Sequence, residues 1–372
     1  MNRLPCEGLK VIELASVLAG PSVGQFFAEL GASVLKIESP ATGGDVTRSW
    51  KLQAETARNS RPAYFTSVNW GKTSLMLNLK KEQDRQRLYE EVREATILVA
   101  SYKPGDAAKL GVDYAVLSSI NPQLIYGSIT GYGQNDPRVG YDAIVQAETG
   151  YLYMNGSPEG ESVKMPVALM DVLAAHQLKE ALLLALWEKE KTGKGSEVSV
   201  SLFDSGIAAL SNQATNWLNA GHIPQRMGSG HPNIVPYGNT FPTQDGDRVL
   251  LAVGTDRQFE ALCQLLDWTI EERFQTNLQR VHLRQELLPL LEQRIREWES
   301  EPLVQGLTER KVPAAKVNNL SQVFELPQAQ ALLFQAEGLQ GIRQFVAQSN
   351  SWEVADQLGA PPELPTYTEE SK

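Results

Sequence analysis

Short apolar runs alternate with helix-like segments through the first half of the chain. The runs have the lengths and compositions of buried strands, and they cover 9–14, 33–37, 74–79, 97–100 and 124–128. Between them, hydrophobic residues recur every three or four positions in 19–30, 80–94 and 114–120, which is typical of helices with one buried face. Strands that alternate with helices indicate an α/β domain with a parallel sheet, in which ligands bind at the carboxyl ends of the strands.

The longest helical pattern begins near Asp171. Leucine and alanine recur at three- and four-residue spacing from Val172 to Trp187 without glycine or proline, and Thr192-Gly193 ends the pattern. Asp171 is therefore predicted at or near the N-cap, where aspartate oxygens commonly accept hydrogen bonds from backbone N–H groups. The positive end of a helix also keeps a carboxylate ionised, which suits a nucleophile. The two roles are compatible.

A strand at 197–202 and one helix at 204–220 follow, and then the pattern changes. A turn-rich loop at 226–232 precedes a hairpin with the turn Gln244-Asp245-Gly246-Asp247. Three helices are predicted after it: one that begins at Thr255, and two at about 282–298 and 301–309. We therefore predict a small α+β domain at 220–326 and a large domain at 1–219, completed by 327–372. The Pro- and Glu-rich end, 361–372, is expected to be an arm or a disordered tail.

Composition narrows the class of protein. The chain has 372 residues, which predicts two domains, and its formal net charge of −10 argues against a nucleic-acid partner. The two cysteines lack metal-ligand spacing and indicate a reducing compartment. The N-terminal sequence does not have the pattern of a signal peptide, and no apolar stretch has membrane-spanning length. Together these features predict a cytoplasmic protein with no membrane association.

The sequence lacks the residue spacing of several common cofactor-binding and catalytic motifs. The turn Leu18-Ala19-Gly20-Pro21 lacks the glycines that admit a dinucleotide pyrophosphate, so Glu38, at the end of the next strand, is interpreted as structural. The Thr192-Gly193-Lys194-Gly195 sequence follows a helix and lacks the hydroxyl residue of a phosphate loop. The four histidines neither cluster nor pair at ligand spacing, so no metal site is predicted. No serine lies in a nucleophile elbow.

Short motifs in a fixed order extend over nearly the whole chain. They are Val11-Ile12-Glu13-Leu14 with Leu18-Ala19-Gly20-Pro21, Gly31-Ala32-Ser33-Val34 with Lys36-Ile37-Glu38, Gly43-Gly44-Asp45 with Thr47-Arg48, Asn69-Trp70-Gly71-Lys72, Lys103-Pro104-Gly105, Ser128-Ile129-Thr130-Gly131-Tyr132-Gly133, the Asp171 helix with Thr192-Gly193, and Asp245-Gly246. Each motif is weak alone. In this order they resemble family III CoA-transferases, the group that includes formyl-CoA and carnitine CoA-transferases.

The resemblance implies an α/β fold with a large Rossmann-like CoA-binding domain and a smaller α+β domain, and an interlocked homodimer. It also implies transfer of CoA from an acyl-CoA donor to a free carboxylic acid, with acyl-CoA as a substrate and no metal. Asp171 matches the family's nucleophilic aspartate. In the family, this aspartate forms an aspartyl mixed anhydride and then an aspartyl-CoA thioester. Covalent capture divides one difficult exchange into easier steps.

The family's binding residues also carry over to this sequence. The CoA contacts are Leu18, Ala19, Asn69, Trp70, Gly71, Lys72, Ser101, Tyr102, Lys103, Lys109, Thr130, Gly131, Tyr132 and Gly133. The lysines among them suit phosphate groups as point charges. The family's glycine-rich loop matches Gly228-Ser229-Gly230-His231, whose unpaired backbone N–H groups are expected to support developing oxyanions. Tyr141 is expected to line the substrate pocket with this loop.

Two other functions are open from the sequence. α-Methylacyl-CoA racemases share the fold but need two opposed bases, one of them a histidine where this chain has Gly140-Tyr141-Asp142. Tyrosine ionises with a pKa of about 10, too high for an easy base at neutral pH, and this disfavours racemisation. The second alternative is a catalytically silent CoA-binding protein, and the retention of Asp171 weighs against it.

Overall fold

A computed structural model describes residues 4–368. Its strands are β1 Lys10–Leu14, β2 Ser33–Glu38, β3 Lys72–Met76, β4 Ile97–Ala100, β5 Ile125–Thr130, β6 Ser196–Ser201, β7 Tyr237–Pro242, β8 Arg248–Ala252, β9 Ala314–Lys316, β10 Leu333–Ala336 and β11 Leu339–Ile342. Its α-helices are α1 Ala19–Glu29, α2 Ala63–Thr66, α3 Glu82–Val92, α4 Asp106–Lys109, α5 Tyr114–Ile120, α6 Asp142–Glu148, α7 Tyr151–Met154, α8 Leu169–Thr192, α9 Leu202–Ala208, α10 Asn212–Ala220, α11 Asp256–Leu265, α12 Asn277–His282, α13 Arg284–Ile295, α14 Ser300–Glu309, α15 Leu320–Val323 and α16 Pro327–Gln330. Short 3₁₀ helices cover Pro40–Thr42, Val46–Ser49 and Glu272–Phe274.

The described residues form two compact units. The first comprises the chain up to Gly150, Met165–Ala220 and the part from Ala331 onward; the second comprises Tyr151–Lys164 and Gly221–Gln330. Residues 151–164, which the sequence analysis places in the large domain, group with the second unit. The assignment of 1–219 with 327–372 and of 220–326 as separate domains stays a prediction.

A six-stranded sheet organises the first unit. Its strand order is β3-β2-β1-β4-β5-β6, and every neighbouring pair is parallel. All residues of β4 and β5 are buried, as expected where helices cover both faces of a parallel sheet. The predicted α/β class with a parallel sheet is therefore confirmed.

Successive side chains of a strand point to opposite faces of the sheet. Helices pack against both faces. On one face, α1 and α8 pack together, and Gly24 of α1 lies against the Glu13 side chain. On the other face, Leu88 of α3 and Leu117 of α5 share a hydrophobic cluster with Ile12 of β1. Loops follow the strands at the carboxyl edge of the sheet. Because β1, β4 and β5 are neighbours in the strand order, the loops after them lie beside one another.

Buried charges connect the first three strands. The Glu13 carboxylate accepts a hydrogen bond from the Lys36 ammonium and one from the Lys72 ammonium, both at 2.7 Å. Lys36 also pairs with Asp45 at 2.8 Å. These side chains are almost completely buried, so each charge depends on its partners inside the protein.

One local prediction differs from the structure, and another leaves two alternatives open. The single helix predicted at 204–220 is wrong, because α9 ends at Ala208 and Ser211 adopts a left-handed conformation with φ 48° before α10 begins. No glycine or proline marks this break. At the C terminus, residues up to 368 form an arm along the first unit: the Tyr367 hydroxyl donates to Asp84, and Arg48 donates to the Pro362 carbonyl. Residues 369–372 of the predicted arm or tail lie outside the described residues.

The second unit has an antiparallel sheet with the order β7-β8-β9. The predicted hairpin is confirmed, since residues 243–247 join β7 to β8. Thr255 caps α11 by accepting a hydrogen bond from the Gln258 N–H at 3.2 Å, as its position before that helix predicts. Phe259, Leu291 and Leu303 belong to the buried apolar core of this unit. In the chain from residue 4 to residue 368, we find no helix that combines the length and apolarity needed to cross a bilayer.

Candidate active site

Asp171 lies in the first turn of α8, three residues after the N-cap residue Ala168. Its carboxylate does not cap the helix, so the capping role that its position predicts is wrong. Asp142 fills that role instead: its Oδ1 accepts a hydrogen bond from the Met170 N–H at 2.8 Å. Its Oδ2 accepts one from the Gln146 side chain, also at 2.8 Å. Asp142 therefore holds the N-terminal turn that carries Asp171.

A cleft of about 290 Å³ opens at the carboxyl edge of the sheet, within the first unit. The loops after β1, β4 and β5 form its walls together with the start of α6 and α8. The sequence-predicted residues that line it are Ala19, Ser101, Tyr102, Lys103, Thr130, Gly131, Tyr141 and Asp171. The parallel topology explains this meeting, because residues far apart in sequence follow neighbouring strands.

The Asp171 carboxylate is poorly solvated and faces a like charge. Burial, with a smaller contribution from Asp142, raises the pKa of Asp171 to about 7. Asp171 also acts on Tyr64: burial raises the pKa of the Tyr64 hydroxyl, and the charges of Asp171 and Asp142 add to that rise. The sequence-based expectation that the helix end keeps Asp171 fully ionised is therefore wrong at neutral pH. Burial and the neighbouring carboxylate oppose the helix dipole, and Asp171 titrates in the physiological range.

The four predicted CoA contacts from Asn69 to Lys72 lie away from the cleft. Asn69, Trp70 and Lys72 are buried, and Gly71 donates its N–H to the Gly359 carbonyl at 2.9 Å. The Lys72 ammonium donates to Glu13, to the Pro21 carbonyl and to Asn69 at 2.7–2.9 Å, which uses all three of its N–H donors. Burial lowers the pKa of Lys72 to about 8. In this structure Lys72 has no donor left for a phosphate group.

The remaining CoA-side residues are nearer the surface. Leu18 is half-buried at the N-cap of α1, next to Ala19 of the cleft wall. Lys109 is exposed and pairs with Asp106 at 2.8 Å, outside the cleft lining. Lys103 is exposed at the cleft itself, and among residues 4–368 its side-chain ammonium has no salt bridge or hydrogen-bond partner. Lys103 is thus the predicted phosphate-binding lysine that the structure leaves accessible there.

Tyr132 and Gly133 begin the loop that follows β5. Tyr132 is half-buried, and its ring packs against Phe203 with 5.8 Å between the ring centroids. Gly133 donates its N–H to the Thr130 hydroxyl at 2.9 Å. Neither residue is among those that line the cleft, so their role as CoA contacts stays a prediction.

The glycine-rich loop, Gly228 to His231, belongs to the second unit. The Gly228 N–H donates to the Gly156 carbonyl at 2.8 Å, the Gly230 N–H to Met227 at 3.1 Å and the His231 N–H to Tyr237 at 3.0 Å. The expectation that these N–H groups are unpaired is therefore wrong for the three residues. They fix the loop to its own unit, and in this conformation they are not free for an oxyanion.

Sequence reasoning missed several residues of the cleft, among them Val17, Arg138 and Asp142. Val17 has a left-handed backbone, with φ 73°, which hydrophobic periodicity does not reveal. Asp142 is recognisable only as a polar residue at the start of a helix; its partner Met170 lies 28 positions later. No local signal links the two. In the part of the chain from 4 to 368, no group of His, Cys, Asp and Glu side chains has the arrangement of a metal site.

The fold and the cleft define an α/β protein with a candidate site at the carboxyl edge of a parallel sheet. Residues 6–364 match the family described as CoA-transferase family III. Over 336 residues, 88% of this chain and 83% of the relative, the sequence is 38% identical to a succinate–glutarate CoA-transferase of Agrobacterium fabrum. It is 35% identical to human succinyl-CoA:glutarate CoA-transferase over 335 residues, 88% of this chain and 75% of the relative.

A solved structure supports the same relationship. The crystal structure of a CaiB/BaiF family protein from Brucella suis superposes with a TM-score of 0.85 at 38% identity, and covers 97% of this chain and 96% of that one. The protein belongs to CoA-transferase family III and is an enzyme of that family.

Proposed function

We propose that this enzyme moves CoA from an acyl-CoA donor to a free carboxylic acid through covalent intermediates on Asp171. The main support is the position of Asp171, a poorly solvated carboxylate in the cleft at the carboxyl edge of the sheet. No other residue of the described chain donates a hydrogen bond to it, so its oxygens are free for a substrate carbonyl. Removal of water from a carboxylate makes it a stronger nucleophile.

Each half of the reaction consists of two acyl transfers. The Asp171 carboxylate attacks the thioester carbonyl of the donor, the C–S bond breaks, and CoA thiolate leaves an aspartyl mixed anhydride. The thiolate then attacks the aspartyl carbonyl of that anhydride. This step releases the donor acid as a carboxylate and leaves an aspartyl-CoA thioester.

The acceptor reverses these steps. Its carboxylate attacks the aspartyl thioester and expels CoA thiolate, which attacks the acceptor's acyl carbonyl in the new anhydride and restores the Asp171 carboxylate. Every nucleophile and leaving group in this sequence is an anion. The mechanism therefore needs no general base, which agrees with the absence of a histidine among the residues that line the cleft in the described chain.

Binding of CoA rests on the loop after β4 and the end of β5. We propose that Ser101, Tyr102 and Thr130 contact the CoA thioester arm, and that the exposed Lys103 ammonium meets its phosphate groups. The names of the Agrobacterium fabrum and human relatives point to succinyl-CoA as the donor and glutarate as the acceptor class to test first. Within the cleft of the first unit, Tyr141 is proposed to border the acceptor.

An interlocked homodimer is also proposed, as the resemblance implies. Exposed apolar side chains on the first unit support a partner surface: Trp187 of α8 is 61% exposed, and Leu218 of α10 is 75% exposed. Sedimentation equilibrium tests the dimer, and a monomer at micromolar concentration would contradict it.

Label exchange tests the transfer reaction directly. Wild-type enzyme is incubated with succinyl-CoA and ¹⁴C-glutarate, and radioactivity is followed into the CoA ester. Transfer is expected for the wild type and for the control D267N, which removes one exposed charge. Asp171→Ala should abolish it while CoA affinity is kept, and mass spectrometry should find a CoA adduct on the Asp171 peptide of the wild type only.

Other outcomes separate the alternatives. Near-normal turnover by Asp171→Ala would eliminate the covalent mechanism. Exchange of the α-proton in D₂O without transfer would indicate a racemase. Binding of CoA with neither reaction across a panel of donors and acids would indicate a silent binding protein.

A further inference from the structure

We propose that Asp45 is a positioning residue for the transfer reaction. It holds the loop that joins β1 to α1 (residues 15–18, the β1–α1 loop) in a strained conformation at Val17. This role depends on the proposed function, since the β1–α1 loop borders the cleft that contains Asp171.

Val17 has a left-handed backbone, with φ 73°, and it lines the cleft. In L-residues this conformation brings Cβ close to the following carbonyl oxygen, and β-branched residues rarely adopt it. Among residues 4–368, the other non-glycine residues with positive φ are Ser211, Asp267, Lys311 and Glu337. None of these four is β-branched, and none lines the cleft. The strain at Val17 therefore belongs to the cleft.

A buried ion pair holds the β1–α1 loop on both sides of Ser16. The Asp45 Oδ1 atom accepts a hydrogen bond from the Val17 N–H at 3.4 Å. The Lys36 ammonium donates to the Ala15 carbonyl at 2.8 Å and pairs with Asp45, also at 2.8 Å. The Val17 contact is longer than a typical N–H···O bond, so the loop depends on both members of the ion pair.

Asp45 is itself fixed by its surroundings. Its Oδ1 atom also accepts hydrogen bonds from the Thr47 N–H at 3.0 Å and from the Thr47 hydroxyl at 2.8 Å. The Asp45 N–H donates to Glu38 at 2.7 Å. Burial disfavours the charge of Asp45, but the Lys36 ammonium outweighs burial and holds the pKa of Asp45 below its usual range. An ionised and immobile carboxylate thus restrains Val17 at neutral pH.

Valine is an unfavourable residue at this position unless the loop must stay fixed. Glycine adopts positive φ without strain, but it also gives a loop more conformational freedom. Strained residues persist where the surrounding structure enforces them, and they concentrate at functional sites. A fixed cleft wall limits the positions that an acyl group can take beside Asp171, and such positioning acts on the chemical step. We therefore expect Val17 and Asp45 to affect kcat rather than CoA affinity.

The test combines kinetics with stability. The kcat for transfer from succinyl-CoA to ¹⁴C-glutarate, the Kd of CoA and the thermal midpoint are measured for wild type, Val17→Gly, Asp45→Asn and the double variant. Lys311→Gly is a matched control for Val17→Gly, since Lys311 is exposed and has φ 59° in the second unit. Asp84→Asn is a control for Asp45→Asn, because the buried Asp84 carboxylate accepts the Asn78 N–H at 2.7 Å away from the cleft.

We expect kcat of Val17→Gly to fall about tenfold, while its thermal midpoint stays at or above the wild-type value because the substitution relieves strain. Lys311→Gly should keep the wild-type kcat. Asp45→Asn should lower kcat without a matching loss of CoA affinity, whereas Asp84→Asn should lower the thermal midpoint alone. Because Asp45 acts through Val17, kcat of the double variant should lie within about twofold of that of Val17→Gly.

Hydrogen exchange in the wild type tests the contact itself and covers the case in which Asp45→Asn does not fold. The Val17 amide should be protected, because its N–H is bonded to a buried carboxylate. Exchange of this amide at the rate of an unstructured chain would overturn the inference.

Three kinetic outcomes would also overturn it. The first is a wild-type kcat in Val17→Gly. The second is a set of losses in the Val17 and Asp45 variants that multiply in the double variant, which indicates independent effects on folding. The third is a rise in the CoA Kd that accounts for the lost activity. Absence of transfer by the wild type would overturn the proposed function, and this inference with it.

Discussion

Asp142 and Met170 are joined by a hydrogen bond of 2.8 Å from the Met170 backbone N–H to the Asp142 carboxylate, one residue before Asp171. This contact attaches the start of α6 to the start of α8. It also places a second negative charge near Asp171, and that charge contributes to the raised pKa of Asp171. Asp142 thus both holds Asp171 in position and opposes its ionisation.

We predict that Asp142→Asn moves the acidic limb of the pH–rate profile to lower pH. An asparagine oxygen can still accept the Met170 N–H, while the like charge that raises the pKa of Asp171 is removed. More Asp171 is then ionised at pH 6, and kcat/KM for the acyl-CoA should fall off at lower pH than in wild type. Asp142→Ala also removes the cap and should destabilise the fold by about 1 kcal/mol. An unchanged profile in Asp142→Asn would show that burial alone sets the pKa.

We predict that Asp171→Asn stabilises the protein at pH 8 more than at pH 5. The pKa of Asp171 is raised to about 7 in the folded protein, against about 3.9 in the unfolded chain. The raised pKa therefore makes protonated Asp171 stabilise the folded state. This stabilisation is complete below the unfolded pKa and is lost as the pH rises through 7. Asparagine has no such loss, so the gain at pH 8 should be about 1–3 kcal/mol.

Urea unfolding at both pH values measures this effect. D267N removes one negative charge at an exposed position and controls for net charge. A gain for Asp171→Asn that is equal at pH 5 and pH 8 would contradict the raised pKa.

Lys103 and Lys72 are both CoA contacts by family resemblance, but we predict that substitutions at the two positions have different effects. Lys103→Met is expected to raise KM for acyl-CoA about tenfold, equal to about 1.4 kcal/mol, with little change in stability, because Lys103 is exposed at the cleft. Lys72→Met should lower stability by about 3–5 kcal/mol, since it leaves Glu13 buried with one partner fewer. Steady-state kinetics at low salt and urea unfolding distinguish the two. A KM effect at Lys72 without loss of stability would assign the phosphate contact to it after all.

We predict that Gly131→Ala destroys the cleft. The added methyl group would overlap the backbone of Gly140, which no side-chain movement can relieve. Activity should be lost, and the thermal midpoint should fall by several degrees. Gly254→Ala is a matched control, since the nearest atom to its Cβ is the end of the Gln258 side chain at 3.6 Å. Wild-type activity in Gly131→Ala would show that the loop between β5 and α6 opens freely.

Much of the fold follows from the sequence. β4 begins and ends at the predicted residues, 97 and 100, because a short aliphatic run between polar segments specifies a buried strand locally. The long helix after residue 168 and the cleft edge at Asp171 also follow from periodicity and strand alternation. The break at Ser211 did not, since a left-handed serine has no signature in hydrophobic spacing.

The sequence by itself determined the α/β class, the strands of the parallel sheet, the family and the position of Asp171 at a helix start. Only the tertiary structure decided that Lys72 is enclosed by Glu13 and Asn69 while Lys103 faces the cleft, and that Asp142 rather than Asp171 caps α8. The reason is physical. Periodicity records which face of an element is apolar, whereas burial, hydrogen-bond partners and pKa depend on residues that the strand order brings together from distant parts of the chain.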